Sequence, residues 1–241
     1  MTLDREHILR EMGLGPVWKL RATPDVPVAP VAEPGIEHSA AQPEIASVIA
    51  ASVPRIGMGW DELAAAVAAC RQCRLCEARK QAVLGVGDVH ADWLFVGEGP
   101  GADEDQRGEP FVGQAGRLLD NMLAAISLKR GQDVYIANAV KCRPPENRTP
   151  APEEAAACRP YLERQIDLLK PKLIVALGRP AAQTLLQTEI KIAAARGKVH
   201  DYRGIPLIVT YHPAYLLRTL LDKAKAWEDL CFMRQTMKAQ R

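Results

Sequence analysis

The sequence has no run of about 18 apolar residues, so an ordinary membrane-spanning helix is not expected. Its first residues, MTLDREHILREMG, lack the apolar stretch of a secretory signal, and a cytosolic location follows as the expectation. Net charge is nearly absent: 31 basic against 29 acidic side chains leave +2. Bulk charge therefore implies no polyanion partner, and any nucleic-acid surface must come from local clustering. No internal repeat is present, which sets aside solenoids and propellers.

What is present is a chain of 241 residues, 48% of them apolar. That is enough for one α/β domain of roughly 180 residues with an extension. Residues 1–20 predict a short amphipathic helix with Ile8, Leu9 and Met12 on one face, a face on which a protein partner can dock. Residues 21–58 carry Pro24, Pro27, Pro30, Pro34, Pro43 and Pro54 and no sustained period. Such a segment buries too little apolar surface to offset its ordering entropy. Residues 1–58 thus read as a flexible Pro- and Ala-rich extension, with a weak helix near Pro43 to Ser52, and residues 59–241 as the folded domain. Residues 1–60 hold five basic and seven acidic side chains, leaving 26 and 22 to the rest, so the folded part is mildly basic.

Within that part Asp61 is the expected N-cap of a helix over Glu62–Ala69. Four short apolar runs read as strands: Trp93–Val96, Val134–Val140, Leu173–Leu177 and Leu207–Thr210. Helical runs alternate with them: Gly116–Ile126, Glu153–Leu169 with a break expected at Pro160, Ala181–Leu186 and Leu220–Met237. The alternation predicts an α/β fold, a three-layer α/β/α domain around a four-stranded parallel sheet.

The first strand runs into GEGPGADEDQRGEPFVGQAG, residues 97–116. Glycine lets backbone approach a ligand closely, and loops at the carboxyl ends of strands are where open α/β sheets bind small flat molecules. The stretch lacks the Gly-Lys-Ser/Thr ending of a P-loop, and its carboxylates would repel phosphate. Asn138 falls in the second strand, where its amide offers a donor and an acceptor to the edge of a ring. Lys141, Arg143 and Arg148 follow it, a positive cluster suited to phosphates. His212 closes the fourth strand, well placed for proton or hydrogen-bond chemistry. Leu216 and Leu217 just beyond it suit a wedge in a base stack.

Six cysteines in a cytosolic chain point to metal or redox chemistry rather than disulfides. Cys70 and Cys73, with Cys142 and Cys158, supply two pairs for one four-thiolate site. The pattern suits an iron–sulfur cluster or structural zinc and does not choose between them. Cys76 is a spare thiol or a competitor for the place of Cys73. The fourth cysteine of a bacterial ferredoxin run is missing, since Glu77-Ala78-Arg79-Lys80 follows instead. Cys231, in a helical run, reads as packing.

As a set these motifs resemble the family 4 uracil-DNA glycosylases, the iron–sulfur branch of that superfamily, over about residues 62–235. They are Cys70-x-x-Cys73-Arg-Leu, the 97–116 loop, Asn138 with KCRPPENRTP, Cys158 and HPAYLLR. The resemblance implies hydrolysis of the deoxyuridine N-glycosidic bond in DNA and one structural 4Fe–4S cluster on Cys70, Cys73, Cys142 and Cys158. It implies that Phe111 stacks on the extruded uracil, that Asn138 reads its amide edge, and that His212 lies beside its carbonyl. It gives Glu98 and Glu104 the acidic positions, with Glu98 preferred as the group facing the sugar or water. It lines the uracil with backbone at Gly99 and Gly101, and sends Tyr215, Leu216, Leu217 and Arg218 into the DNA. Ala214 stands where a serine is common in the family, which implies a lost phosphate contact. No basic insertion of the covalent-trapping relatives occurs around Ile192 to His200, so ordinary turnover by a monomer is expected. The competing expectations are a catalytically degenerate iron–sulfur or zinc DNA-binding protein of the same fold, a ferredoxin-type electron carrier, and a zinc-bound enzyme of the same fold.

Overall fold

The computed structural model describes residues 57–240. The helix expected over residues 1–20, the linker up to residue 56 and the weak helix near Pro43 lie outside them. No helix among the described residues is long and apolar enough to cross a membrane.

The sheet has six strands rather than four. They are β1 (Val86–Gly87), β2 (Trp93–Gly97), β3 (Val134–Asn138), β4 (Leu173–Leu177), β5 (Val199–Tyr202) and β6 (Ile205–Thr210), in the order β1-β3-β2-β4-β6-β5. The four strands read from the sequence form the parallel centre. The two additional strands pair antiparallel at the edges, making the sheet mixed. Their weak signals have a physical cause. Two-residue β1 has no period to detect. In β5 most residues face solvent, so apolar alternation is not required.

The central strands are fully buried, and alternate residues feed opposite faces. Phe95, Ile136, Val175 and Ile208 pack with Leu119 and Leu123 of α4 (Gln114–Ala125) and Met233 of α9 (Lys223–Ala239). Leu94, Val96, Ile174 and Val209 pack with Leu162 and Ile166 of α5 (Pro152–Leu169) and Ala182 of α6 (Arg179–Leu186). This is the expected α/β/α layering. A third apolar cluster joins Leu63 and Val67 of α1 (Trp60–Ala69) to Cys70, Cys142, Cys158 and Tyr161.

Local corrections have local causes. Helix α1 is capped two residues earlier than Asp61: Gly59 is the cap, and its amide donates to the Glu62 carboxylate at 2.9 Å. Helix α5 continues through Pro160, held by a buried face that includes Cys158, Tyr161, Leu162, Gln165 and Ile166. The last helical run divides into a 3₁₀ turn (Leu220–Asp222) and α9. Short α2 (Leu75–Ala78), α3 (Ala102–Arg107), α7 (Ile192–Ala195) and α8 (Pro213–Arg218) were too brief for periodicity to reveal.

Topology makes the crevice. From β2 the chain moves to β3 on one side, then crosses to β4 on the other. The loops after β2 and β4 therefore diverge, which is where open sheets bind ligands.

Candidate active site

A cleft of about 990 Å³ opens at the carboxyl ends of the parallel strands. Its lining draws on the loop after β2 (Glu98, Gly99, Gly101, Glu104, Phe111), on Asn138, on Arg179 after β4, and on Tyr211 and His212 after β6. Strand register brings the first two groups together, because Gly97 pairs with Asn138. The ladder continues past the strand ends, with Ala139 N–H donating to the Gly97 carbonyl and Val140 N–H to that of Glu98.

Gly97 is the floor between the recognition groups. A Cβ there would lie 2.4 Å from Asn138 Oδ1 and 2.6 Å from the Phe111 ring. Asn138 is buried, and its Oδ1 has no hydrogen-bond partner. Phe111 has φ +56°, a left-handed conformation unusual for an aromatic residue, and its ring centroid lies 5.5 Å from that of His212. The Glu104 carboxylate ties this loop together. It accepts from Gly101 N–H at 3.0 Å, Val112 N–H at 2.9 Å and Gly113 N–H at 3.2 Å. From the other side the Arg130 guanidinium donates to the carbonyls of Pro110 and Phe111, both at 2.8 Å, and to Asp120 at 2.9 Å.

His212 caps α8: its Nδ1 accepts from Ala214 N–H at 3.1 Å. The neutral ring therefore carries its proton on Nε2. Burial, with Arg218 nearby, pushes its pKa down to about 4, so the neutral ring prevails at pH 7. The cleft leaves one side of the residue partly open while protein encloses the rest. Burial raises the Glu98 carboxyl above its usual range, opposed by a side-chain hydrogen bond with Thr149 and the charge of Arg179.

The cysteines meet behind the cleft. Cys70, Cys73, Cys76, Cys142 and Cys158 line one small cavity with Arg79, Lys141 and Tyr161. Arg79 Nη1 donates to Cys142 Sγ at 2.8 Å, and Lys141 N–H donates to Cys158 Sγ at 3.2 Å. Arg79 Nη2 donates to the Ala68 and Cys70 carbonyls, which joins the end of α1 to the loop after β3. Among the described residues no three His, Cys, Asp or Glu side chains are arranged as ligands of a single metal ion.

The Uracil DNA glycosylase superfamily profile matches residues 84–231. A type-4 uracil-DNA glycosylase of Archaeoglobus fulgidus is 47% identical over 165 residues, 65% of this chain and 82% of that protein. One of Pyrobaculum aerophilum is 44% identical, covering 67% of this chain and 86% of its own. One of Thermotoga maritima is 46% identical, covering 62% and 78%. The chain belongs to the uracil DNA glycosylase superfamily.

Within this superfamily member the residues singled out in the sequence separate into groups. Glu98, Gly99, Gly101, Glu104, Phe111, Asn138, Arg148, His212, Tyr215 and Arg218 line one cleft. Lys141 does not reach it. Only 1% exposed, its ammonium donates to the Asn138 carbonyl and to Gln165, which overturns the expected phosphate contact. Burial pushes its pKa down to about 8. Leu216 is also buried, packing in the core under α8, so the wedge expected of it is corrected. Leu217, Leu220 and Leu221 are the exposed leucines of that segment. Both oxygens of Glu104, which lines the cleft, accept backbone amides, so the side chain holds the loop. Arg148 lies at the rim with both arms on Glu154, and Arg143 donates to Asn147. The sequence reading passed over Arg179, Lys191, Gly97 and Arg130. For Arg179 a signal existed, since it follows Gly178 at a strand end. For Arg130 none did.

Proposed function

We infer that this protein is a uracil-DNA glycosylase, a hydrolase that cleaves the N-glycosidic bond of deoxyuridine in DNA and leaves an abasic site for base excision repair. The observation that carries the assignment to this cleft is Asn138, buried beside Phe111 and His212 with an unpartnered Oδ1. An amide accepts from uracil N3–H and donates to its C4 carbonyl, whereas cytosine presents the opposite pattern at that edge. An unpaired buried acceptor is costly until such a donor arrives.

A base within a duplex must leave the stack to reach this depth, at a cost of a few kcal/mol. Leu217, Leu220 and Leu221 suit the wedge that fills the gap, and Arg148, Arg179, Lys191 and Arg218 suit the flanking phosphates. Phe111 stacks on the extruded ring. As the C1′–N1 bond breaks, its electron pair passes to uracil and positive charge develops on the sugar. His212 Nε2–H and backbone amides stabilise the uracil anion. Glu98 faces the sugar cation, orients the water whose oxygen bonds to C1′, and takes its proton. Glu104 holds the loop.

Cys70, Cys73, Cys142 and Cys158 fit a 4Fe–4S cluster: with Cys76 they line one small cavity, and N–H donors already face two of the sulfurs. Bound there, the cluster supplies a covalent cross-link between the α1 end, the loop after β3 and α5. The protein acts in the cytoplasm as a monomer.

An abasic-site assay on a uracil-containing oligonucleotide tests the assignment, with Asn138→Ala and His212→Ala alongside. Alkali-labile abasic sites at uracil, formed by the parent protein and absent with both variants, are expected. A purified, iron-loaded protein that binds DNA and releases no uracil would establish the degenerate alternative.

A further inference from the structure

We propose that Arg130 is a positioning residue for the base pocket, gripping the Pro110–Gly113 backbone together with Glu104 so that the Phe111 ring stays in the cleft. The proposal rests on the reading of Phe111 as the ring that stacks on uracil.

Phe111 needs such a grip. Its φ of +56° brings Cβ against backbone, a conformation that L residues rarely adopt. Left alone, the segment would relax to negative φ and redirect the ring. Two side chains of opposite charge oppose this. Arg130 takes the two consecutive carbonyls of Pro110 and Phe111, one on each terminal nitrogen, while Asp120 holds its Nε. The Glu104 Oε1 takes the next two amides, Val112 and Gly113. Four successive residues are therefore held through carbonyl or amide, and every bond is charge-assisted. Gly116 completes the seat, since a Cβ there would lie 1.8 Å from the Phe111 carbonyl oxygen.

Arg130 hydrogen-bonds the loop at its backbone carbonyls and sits between α4 and β3, outside every motif. Its effect on the base must pass through Phe111. A guanidinium can span two carbonyls and a carboxylate at once; an ammonium cannot. Arg130→Lys thus retains the partly exposed ion pair with Asp120 and loses the fork.

The test compares the full-length, cluster-loaded parent with Arg130→Lys, Arg130→Gln, Phe111→Ala and the Arg130→Lys/Phe111→Ala pair. Five quantities are read: inhibition by free uracil, kcat and KM for excision, binding to uracil-free duplex, and Tm. Uracil inhibition should weaken about tenfold in Arg130→Lys, toward the Phe111→Ala value, with affinity for uracil-free duplex unchanged. The double variant should bind uracil no worse than Phe111→Ala alone, because both changes act on one ring. Unchanged uracil inhibition in Arg130→Lys while Phe111→Ala weakens it, or fully additive losses in the pair, would overturn the role of Arg130. If Phe111→Ala itself leaves uracil inhibition unchanged, the stacking role falls and the proposal with it. Should Arg130→Gln fail to fold, Arg130→Lys carries the decision.

Discussion

In the proposed mechanism Asn138 and His212 serve opposite halves of one recognition problem: an open acceptor for the base edge, and a donor for the charge that leaves with it. Asn138→Asp replaces the amide donor with a second acceptor facing the uracil C4 carbonyl. Discrimination of uracil from cytosine should fall by about tenfold or more, read as the ratio of kcat/KM values on matched oligonucleotides. His212→Gln removes the Nε2 donor from its anchored place, and single-turnover excision should slow by about a hundredfold. An undiminished rate would remove His212 from the chemistry. Replacing Glu98 by Gln should cost comparable rate, and it should also change the pH profile. The raised Glu98 pKa means that activity falls as pH drops through a value above the usual carboxylate range, and the slow Gln variant should lack that limb. His212 contributes to stability with the opposite placement. Its folded pKa of about 4 lies below the unfolded 6.5, so the unfolded chain takes up the proton first. The associated stability is present above 6.5 and lost as pH falls toward 4, a slope that Tm measurements on His212→Gln should find reduced.

At the scale of elements, the pocket is a matter of strand ends meeting. The Gly97–Asn138 pairing leaves no room for a side chain on β2, so Gly97→Ala must displace Asn138, Phe111 or the strand itself. A stability loss of about 1–3 kcal/mol with a larger drop in excision is expected, and urea melts beside activity assays would separate the two. The segment beyond α8 tests the wedge. Leu221 is 90% exposed and supports no core, so Leu221→Ala should leave unfolding stability within about 0.5 kcal/mol of the parent. Its excision from duplex should weaken more than its excision from single strands. Equal rates on both substrates would return the wedge to Leu217 or Leu220. This is also where the sequence misled. HPAYLLR has two adjacent leucines, and no spacing rule says that Leu216 turns into the core while Leu217 turns out, because α8 is too short to show a period. Lys141 misled for a similar reason: a basic residue between basic neighbours reads as surface, yet burial behind Asn138 makes it a strut.

For the whole molecule, the cysteine cavity fastens α1, α5 and the loop after β3, three parts that share a small apolar cluster. With the proposed cluster in that cavity, oxidative removal of iron should lower Tm and loosen the loop carrying Arg143 and Arg148, with loss of brown colour and of DNA affinity together. The α/β/α layering was legible because buried parallel strands are continuous apolar runs bounded by loops. The candidate site was legible in its parts, since glycines, an asparagine at one strand end and a histidine at another are unusual together. The amino-acid sequence by itself determined which residues carry distinctive chemistry, and which four strands form the centre, because side-chain type and apolar period are properties of the chain alone. Only the tertiary structure decided which of those residues face the cleft. Orientation at short helices, the depth of Lys141 and Leu216, and the hold of Arg130 on Phe111 arise from contacts between segments distant in sequence, which no local pattern encodes.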